Sequence, residues 1–199
     1  MAGKRRAPGS ASDDCTRASC RPLIFGIYPG GAMGTDSGLA AGAPGDPQQV
    51  EQALFALQPA GRPLVVRSYQ VYSGIGRVGN EAPADFTRYI HDGRILDLVL
   101  CFHDPEDEVA AWQALVRETV RRYGPHLGAL QIAEEPNSAR PGGDGPYPNV
   151  RQAIVAGVIA AKEKAGQRGC PAKVGFNAPP SLSSADEFWP SIRSVQSST

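Results

Sequence analysis

The sequence lacks the features that mark several large classes of protein. Lys+Arg and Asp+Glu number 20 each in 199 residues, so no charge surplus attracts nucleic acid or an anionic membrane. No uninterrupted apolar stretch approaches the roughly 18–20 residues that cross a bilayer. Residues 4–6 are basic but no apolar stretch follows them, so we recognise no secretory signal and expect a cytoplasmic protein. These absences predict that neither nucleic acid nor membrane is a partner.

Motifs for nucleotide, nucleophile and metal sites are also missing. The glycines of residues 30–34 do not fit G-x-G-x-x-G, and no Gly-Lys-Ser/Thr or G-x-S-x-G occurs. The cysteines have no partners at the spacing of a tetrahedral site. We expect Cys15 and Cys20 to form a local disulfide or remain two free thiols, and Cys101 to be a small core residue. The sequence therefore predicts no cofactor and no metal.

What is present is an alternation of predicted strands and helices. Five apolar runs predict strands, over residues 23–28, 64–72, 95–102, 127–133 and 172–177. Helices are predicted between and after them, from Asp46-Pro47 onward and over residues 83–91, 106–123, 149–165 and 184–193. Near-continuous apolar strands are typical of a parallel sheet covered by helices. Residues 1–20 are polar without periodicity and predict a disordered tail, which leaves residues 21–199 as one α/β domain.

Three side chains are predicted to start helices. Asp46 precedes Pro47, a pair typical of an N-cap followed by a first turn. Asp104 precedes Pro105 in the same way, and Asn149 is the predicted cap of the helix after it.

Polar and aromatic residues stand where each predicted strand ends. In a (β/α)8 barrel the active site is built at those carboxyl ends. Tyrosine rings cover the apolar faces of sugars, while Arg, His, Asn and carboxylates bind their hydroxyl groups. The pattern therefore favours a carbohydrate ligand, and it is carried by Tyr28, Arg67, Tyr69, Tyr72, His103, Asp104, Glu134, Glu135 and Asn177.

The run Glu134-Glu135-Pro136-Asn137 resembles a motif of the clan A glycoside hydrolases, retaining (β/α)8-barrel enzymes whose fourth strand ends in Asn-Glu-Pro. The resemblance covers residues 21–193 and implies that Glu135 is the general acid/base. It also implies that Arg67 and His103 lie around the catalytic carboxylates. Tyr69, Glu134 and Asn177 are the further expected substrate contacts. The chain departs from the family at Glu134, where the motif has Asn.

Adjacent residues of a strand point to opposite faces unless a bulge intervenes. We therefore expect either Glu134 or Glu135 to enter the barrel mouth and the other to lie behind it. If the two carboxyl groups approach each other, repulsion and burial raise one pKa, as suits a general acid. Alternatively, one of them forms a structural ion pair with Arg67 or with another basic residue.

The length sets a limit on the barrel. A full (β/α)8 barrel takes about 250 residues, whereas the five predicted βα units fill this chain. A retaining glycosidase needs two carboxyl groups about 5–5.5 Å apart, and the family's nucleophile comes from a seventh strand. Asp97 and Asp104 are poor substitutes for it. We expect an incomplete TIM-type barrel that self-associates through open sheet edges.

Two alternatives to O-glycosyl hydrolysis stay open. One is a catalytically inactive, truncated barrel that binds sugar weakly or not at all. The other is a metal-dependent barrel of the sugar isomerase or endonuclease type, with His103, Asp104 and Glu135 as conceivable ligands.

Overall fold

The computed structural model describes residues 23–30, 32–35, 38–41, 45–81, 83–106, 108–140, 142–180 and 188–196. The predicted tail, with Cys15 and Cys20, lies outside these residues. The described part is an α/β fold with a mostly parallel six-stranded sheet, a separate two-stranded sheet and four α-helices. None of these helices combines the length and apolar character needed to cross a bilayer.

The strands are β1 Phe25–Ile27, β2 Ala32–Thr35, β3 Gly38–Ala41, β4 Leu64–Tyr72, β5 Val78–Asn80, β6 Ile95–Phe102, β7 Leu127–Ile132 and β8 Lys173–Gly175. The helices are α1 Pro47–Leu57, α2 Val109–Tyr123, α3 Val150–Arg168 and α4 Phe188–Gln196, with short 3-10 helices over Phe86–Tyr89 and Gly124–His126. The predicted helix over residues 83–91 is thus a single 3-10 turn, which buries Phe86 and Tyr89.

The main sheet has the order β1-β4-β6-β7-β8, and all neighbours along this path are parallel. Each of the five predicted strands therefore lies beside the one before it in the chain. Doubly wound sheets instead reverse their order at a switch point. Among the described strands β1 and β8 are the two ends of this path, so these strands form an open sheet.

The two faces of the sheet differ in character. Along β4 burial alternates strictly, with Leu64, Val66, Ser68, Gln70 and Tyr72 on the buried side. This side packs against α2 and α3 through Trp112, whose ring lies 5.6 Å from Tyr72 and 5.4 Å from Phe102. The Trp112 indole N–H also donates to the carbonyl of Ala153 in α3, at 2.9 Å. The opposite side, called here the open face, carries the intervening residues of β4, including Arg67 and Tyr69.

The structure confirms one of the predicted helix caps and differs from the others. The Asp46 carboxylate accepts from the N–H groups of Gln48 and Gln49, so this cap is confirmed. Asp104 is fully buried and accepts from the N–H groups of Glu106 and Glu108, which closes a turn before α2 rather than capping it. The helix consequently begins at Val109 instead of residue 106.

The predicted cap of α3 is wrong in its chemistry. Asn149 immediately precedes the helix, but its backbone is left-handed, with φ 52°, and its side chain makes no capping hydrogen bond. A residue in that conformation cannot present its side chain to the first turn as an extended N-cap does.

The prediction of a buried first strand is also wrong. Phe25 is 56% exposed and Ile27 is 38% exposed. The reason is that, among the described strands, β1 pairs only with β4 and lies at one end of the main sheet path, so it lacks the neighbours that cover the central strands. Three short strands went unpredicted, because β2, β3 and β5 have too few residues to show an apolar alternation.

Candidate functional site

Arg67 is the centre of a polar network on the open face. Its guanidinium donates to the Tyr69 hydroxyl at 2.9 Å, to Asp97 at 2.8 Å and to the Gln131 side-chain oxygen at 2.9 Å. These partners come from β4, β6 and β7. They meet because the three strands are parallel and in register, with Arg67 directly beside Asp97. One planar guanidinium thus joins three strands.

Gln131 extends this network to the ends of β7 and β8. Its side-chain N–H₂ donates to the Asn177 side-chain oxygen at 3.0 Å and also to the Glu134 carboxylate. The same Asn177 oxygen accepts from the backbone N–H of Glu135 at 2.8 Å. Asn177 therefore fixes the two-glutamate segment from the neighbouring strand.

Glu134 places its carboxylate within this network. One carboxylate oxygen lies 3.7 Å from the Arg67 guanidinium, and the side chain is 19% exposed. Burial raises the pKa of Glu134 above its ordinary value. The hydrogen bond from Gln131 and the charge of Arg67 offset part of this increase, and the nearby charge of Glu135 adds to it. Glu134 therefore accepts a proton more readily than an exposed glutamate.

Glu135 is held by its backbone and not by its carboxylate. The side chain is half-buried, and its carboxylate makes no hydrogen bond or ion pair with any residue that the structure describes. The backbone here is left-handed at Ala133, φ 67°, and again at Glu135, φ 45°. Such conformations cost L-residues of order 1–3 kcal/mol each and occur where the surrounding contacts impose them.

The left-handed backbone at Ala133 and Glu135 shows that this segment is not part of β7. The predicted strand over residues 127–133 ends at Ile132, so both glutamates lie beyond it. The strand alternation used to separate Glu134 from Glu135 therefore does not apply to them. The structure places Glu134 among the partners of Arg67, as the ion-pair alternative describes.

Asp144 belongs to the site but gave no sequence signal. It is fully buried, and its Oδ2 accepts from the backbone N–H groups of Phe102 at 2.8 Å and Glu134 at 2.9 Å. Its own N–H donates to the Glu134 carbonyl at 2.7 Å. An Asp between two glycines in a loop predicts only a turn, so this contact could not be inferred.

His103 follows β6 and lies at Oδ1 of Asp144, whereas the Glu134 N–H lies at Oδ2. Its ring stacks on Tyr147 at 4.6 Å between centroids, with an interplanar angle of 11°. Its Nε2 lies 3.0 Å from Asp144 Oδ1. His103 is therefore connected to Glu134 through Asp144 and is not a contact of Arg67.

The remaining strand-end residues divide between the faces. Tyr28 packs edge-on against Tyr69 at 4.9 Å, and burial raises the pKa of Tyr28 to about 12. Tyr72 is buried against Trp112 on the helix side and so lies away from the network. Asp104 is occupied by the turn before α2, and the conceivable metal set of His103, Asp104 and Glu135 is not brought together among the described residues.

A shallow cavity of about 260 Å³ lies beside the network on the open face. Asp97, Gln131 and Phe176 contribute to its lining. Asp97 and Gln131 had not been predicted as site residues. Asp97 lies mid-strand and Gln131 lies between apolar neighbours, so only the parallel register shows that they meet Arg67.

No protein-family model matches the chain, and no curated protein is significantly similar to it. The resemblance to clan A glycoside hydrolases thus continues to depend on the strand-end residues alone.

Proposed function

We propose that this chain is a glycoside hydrolase-like (β/α) barrel protein that binds a carbohydrate at the carboxyl ends of its parallel strands. The sequential strand order supports the barrel part of the proposal, because each strand of a (β/α)8 barrel lies beside its predecessor. The open face of the sheet then corresponds to the barrel interior. The two free thiols among the described residues, Cys101 and Cys170, are compatible with a cytoplasmic location, which we include in the proposal.

The observation that carries the proposal is the network around Arg67. It joins charged, amide and phenolic groups from three parallel strands on the open face. A sugar presents hydroxyl groups for such donors and acceptors, and apolar ring faces for aromatic side chains. The T-shaped pair of Tyr28 and Tyr69 supplies the aromatic surface next to Arg67. Asn177 and His103 complete the proposed set of contacts.

Within this site we assign the general acid/base role to Glu135. A general acid must reach the leaving-group oxygen and exchange its proton there. Glu134 is engaged by Gln131 and lies near Arg67, whereas the Glu135 carboxylate has no described protein partner. Glu134 then has a binding role, as a hydrogen-bonding group for a substrate hydroxyl.

Hydrolysis by the retaining route also requires a nucleophilic carboxylate about 5–5.5 Å from the acid/base. Asp97 and Glu134 share the network, and both lie against Arg67. We assign the nucleophile to neither of them. The second candidate function is therefore carbohydrate binding without hydrolysis, which the engagement of both carboxylates favours.

Calorimetry with tetrasaccharides of glucose, xylose, mannose and galactose tests the binding site. We expect one class of sugar to bind and Arg67→Lys to weaken its binding at least tenfold, because lysine cannot replace the three-way guanidinium contact. Glu163→Gln, an exposed change on α3, is the matched control and should bind normally. If none of the sugars binds, or if Arg67→Lys binds as well as the unsubstituted chain, the proposed site is wrong.

Turnover of 4-nitrophenyl glycosides tests the acid/base assignment. Glu135→Gln should retain sugar binding but lose turnover, while Glu134→Gln should weaken binding. Unchanged turnover in Glu135→Gln would show that this residue is not the acid/base. Sugar binding by the unsubstituted chain with no turnover of any glycoside would support the non-hydrolytic function.

A further inference from the structure

Cys101, His103 and Asp144 bring three metal-ligating atoms together at the carboxyl end of β6. The thiol sulfur, an imidazole nitrogen and a carboxylate oxygen all lie within 4.8 Å of one another. Cys101 and His103 are two residues apart. The backbone N–H of His103 donates to the Tyr72 carbonyl at 2.8 Å, which continues the strand ladder. Residues two apart on a strand share a face, so this spacing turns both side chains toward Asp144.

Two of these atoms are buried without a hydrogen bond. His103 Nε2 and Asp144 Oδ1 are 3.0 Å apart, but their orientation is not that of a hydrogen bond, and neither has another hydrogen-bond partner among the described residues. Buried polar atoms are nearly always satisfied, and an unsatisfied one calls for an explanation. A cation between the two atoms would satisfy both.

The carboxylate is also oriented for such a role. Asp144 Oδ2 accepts from two backbone N–H groups, those of Phe102 and Glu134. These bonds fix the plane of the carboxylate and leave Oδ1 directed at His103. Outer hydrogen bonds of this kind hold ligands in place at metal sites.

We propose that Cys101, His103 and Asp144 bind one divalent transition-metal ion of the zinc class. One sulfur, one nitrogen and one oxygen donor suit zinc, whereas magnesium and calcium prefer oxygen alone. Zinc–ligand bonds of about 2.0–2.3 Å place the donor atoms of a tetrahedral site roughly 3.2–3.7 Å apart. The His103 Nε2–Asp144 Oδ1 separation of 3.0 Å must then widen slightly, and the Cys101 sulfur must approach the other two atoms by at most about 1 Å.

The charges balance in this site. A thiolate and a carboxylate together neutralise a divalent ion, and the histidine binds as neutral imidazole. Binding forms a sulfur–metal bond and releases the thiol proton to solvent. The inference shares His103 with the proposed carbohydrate contacts but uses no residue of the proposed acid/base step, and it does not depend on the proposed function.

Cobalt and zinc titrations of the metal-free full chain test the site. We expect one Co²⁺ per chain with a near-ultraviolet thiolate-to-cobalt band, which Zn²⁺ abolishes by displacement. Cys101→Ser should lose the band and at least tenfold in Co²⁺ affinity. His103→Asn should lower the affinity at least tenfold while the thiolate band weakens in proportion to occupancy. The matched control replaces Cys15, Cys20 and Cys170 with serine together, and it should keep both band and stoichiometry.

Three results would overturn the proposal: no thiolate band in the unsubstituted chain, a band that persists in Cys101→Ser, or loss of the band in the triple-serine control. His103 is partly exposed, so His103→Asn serves as the test if Cys101→Ser does not fold. Unchanged affinity in folded His103→Asn would then reject the site.

Discussion

Asp144 and Glu134 form a reciprocal pair of hydrogen bonds. Asp144 Oδ2 accepts from the Glu134 N–H at 2.9 Å, and the Asp144 N–H donates to the Glu134 carbonyl at 2.7 Å. Because Oδ2 also accepts from Phe102, the loop after β7 is fastened to the ends of two strands. The position of the Glu134 carboxylate thus depends on a residue ten positions further along the chain.

Replacing Asp144 should therefore destabilise the fold. Asp144→Ala removes the acceptor of two backbone N–H groups at a fully buried site, and each unsatisfied buried donor costs about 1–3 kcal/mol. We expect the free energy of unfolding in urea to fall by about 3 kcal/mol in the metal-free protein. Glu106→Ala, at an exposed side chain, is the control and should change it by less than about 0.5 kcal/mol. A loss of similar size in both variants would contradict the role given to Asp144.

The raised pKa of Glu134 predicts a dependence of stability on pH. Its folded-state pKa lies above the unfolded value, because burial disfavours the charged carboxylate. Protonation is thus favoured in the folded state, and this contribution is full below the unfolded pKa and is lost as pH rises through the folded one. Relative to Glu134→Gln, the unsubstituted protein should therefore lose stability as pH rises from about 4. Urea unfolding of both proteins over this range measures the difference.

The matched control for that comparison is Glu163→Gln, at an exposed carboxyl on α3. Carbon-13 NMR of the Glu134 side chain gives a direct reading, with a midpoint expected above its ordinary value. A midpoint at or below that value would show that Arg67 and Gln131 outweigh burial.

Alanine substitutions at two glycines of α3 should have opposite effects on the free energy of unfolding. A Cβ on Gly157 would lie 2.7 Å from Ile132 Cγ2 and 2.9 Å from Trp112 Nε1, whereas nothing lies within 4 Å of one on Gly166. Gly157→Ala should lower the free energy of unfolding by about 1–3 kcal/mol through overpacking. Gly166→Ala should raise it by about 0.5–1 kcal/mol, because alanine favours the helix. Thermal or urea unfolding compares them, and stabilisation by Gly157→Ala would contradict the close packing of α3 on the sheet.

The exposed apolar residues near β1 predict self-association. Leu23 is 70% exposed and Phe25 is 56% exposed, and β1 lies at one end of the main sheet path. Uncovered strand edges with apolar side chains pair readily with another chain. Sedimentation velocity should show association that increases with concentration and that Phe25→Lys reduces. Ile159→Lys, on the surface of α3, should leave it unchanged, and a concentration-independent monomer would contradict the prediction.

The features that the sequence could predict are local ones. Asp46 caps α1 because a cap depends on its next three residues, and Cys101 lies in the core because its strand is a continuous apolar run. The network around Arg67 could be predicted only in part. Its strand-end members follow from parallel strands, but Gln131 and Asp97 join it through register, which no single strand reveals.

The contacts that sequence reasoning missed involve backbone irregularity. The left-handed residues Ala133 and Glu135 end the alternation of β7, so the directions of the two glutamates could not be deduced from their positions. Asp144 reaches them from a Gly- and Pro-rich loop, in which an Asp is commonplace. These are tertiary contacts that override local preference.

The hydrogen bonds of Asn177 affect how readily β8 opens. Its side-chain oxygen accepts from Gln131 and from the Glu135 N–H, so the residue just after a three-residue edge strand helps to set the acid/base segment. An edge strand this short opens easily, and its amide hydrogens exchange accordingly. A ligand that binds across Asn177 and Glu135 would therefore hold β8 against β7. Part of its binding free energy would oppose the opening of β8, so amide exchange over residues 173–175 would become slower. Occupancy of the site and order at this edge of the sheet are thus linked quantities.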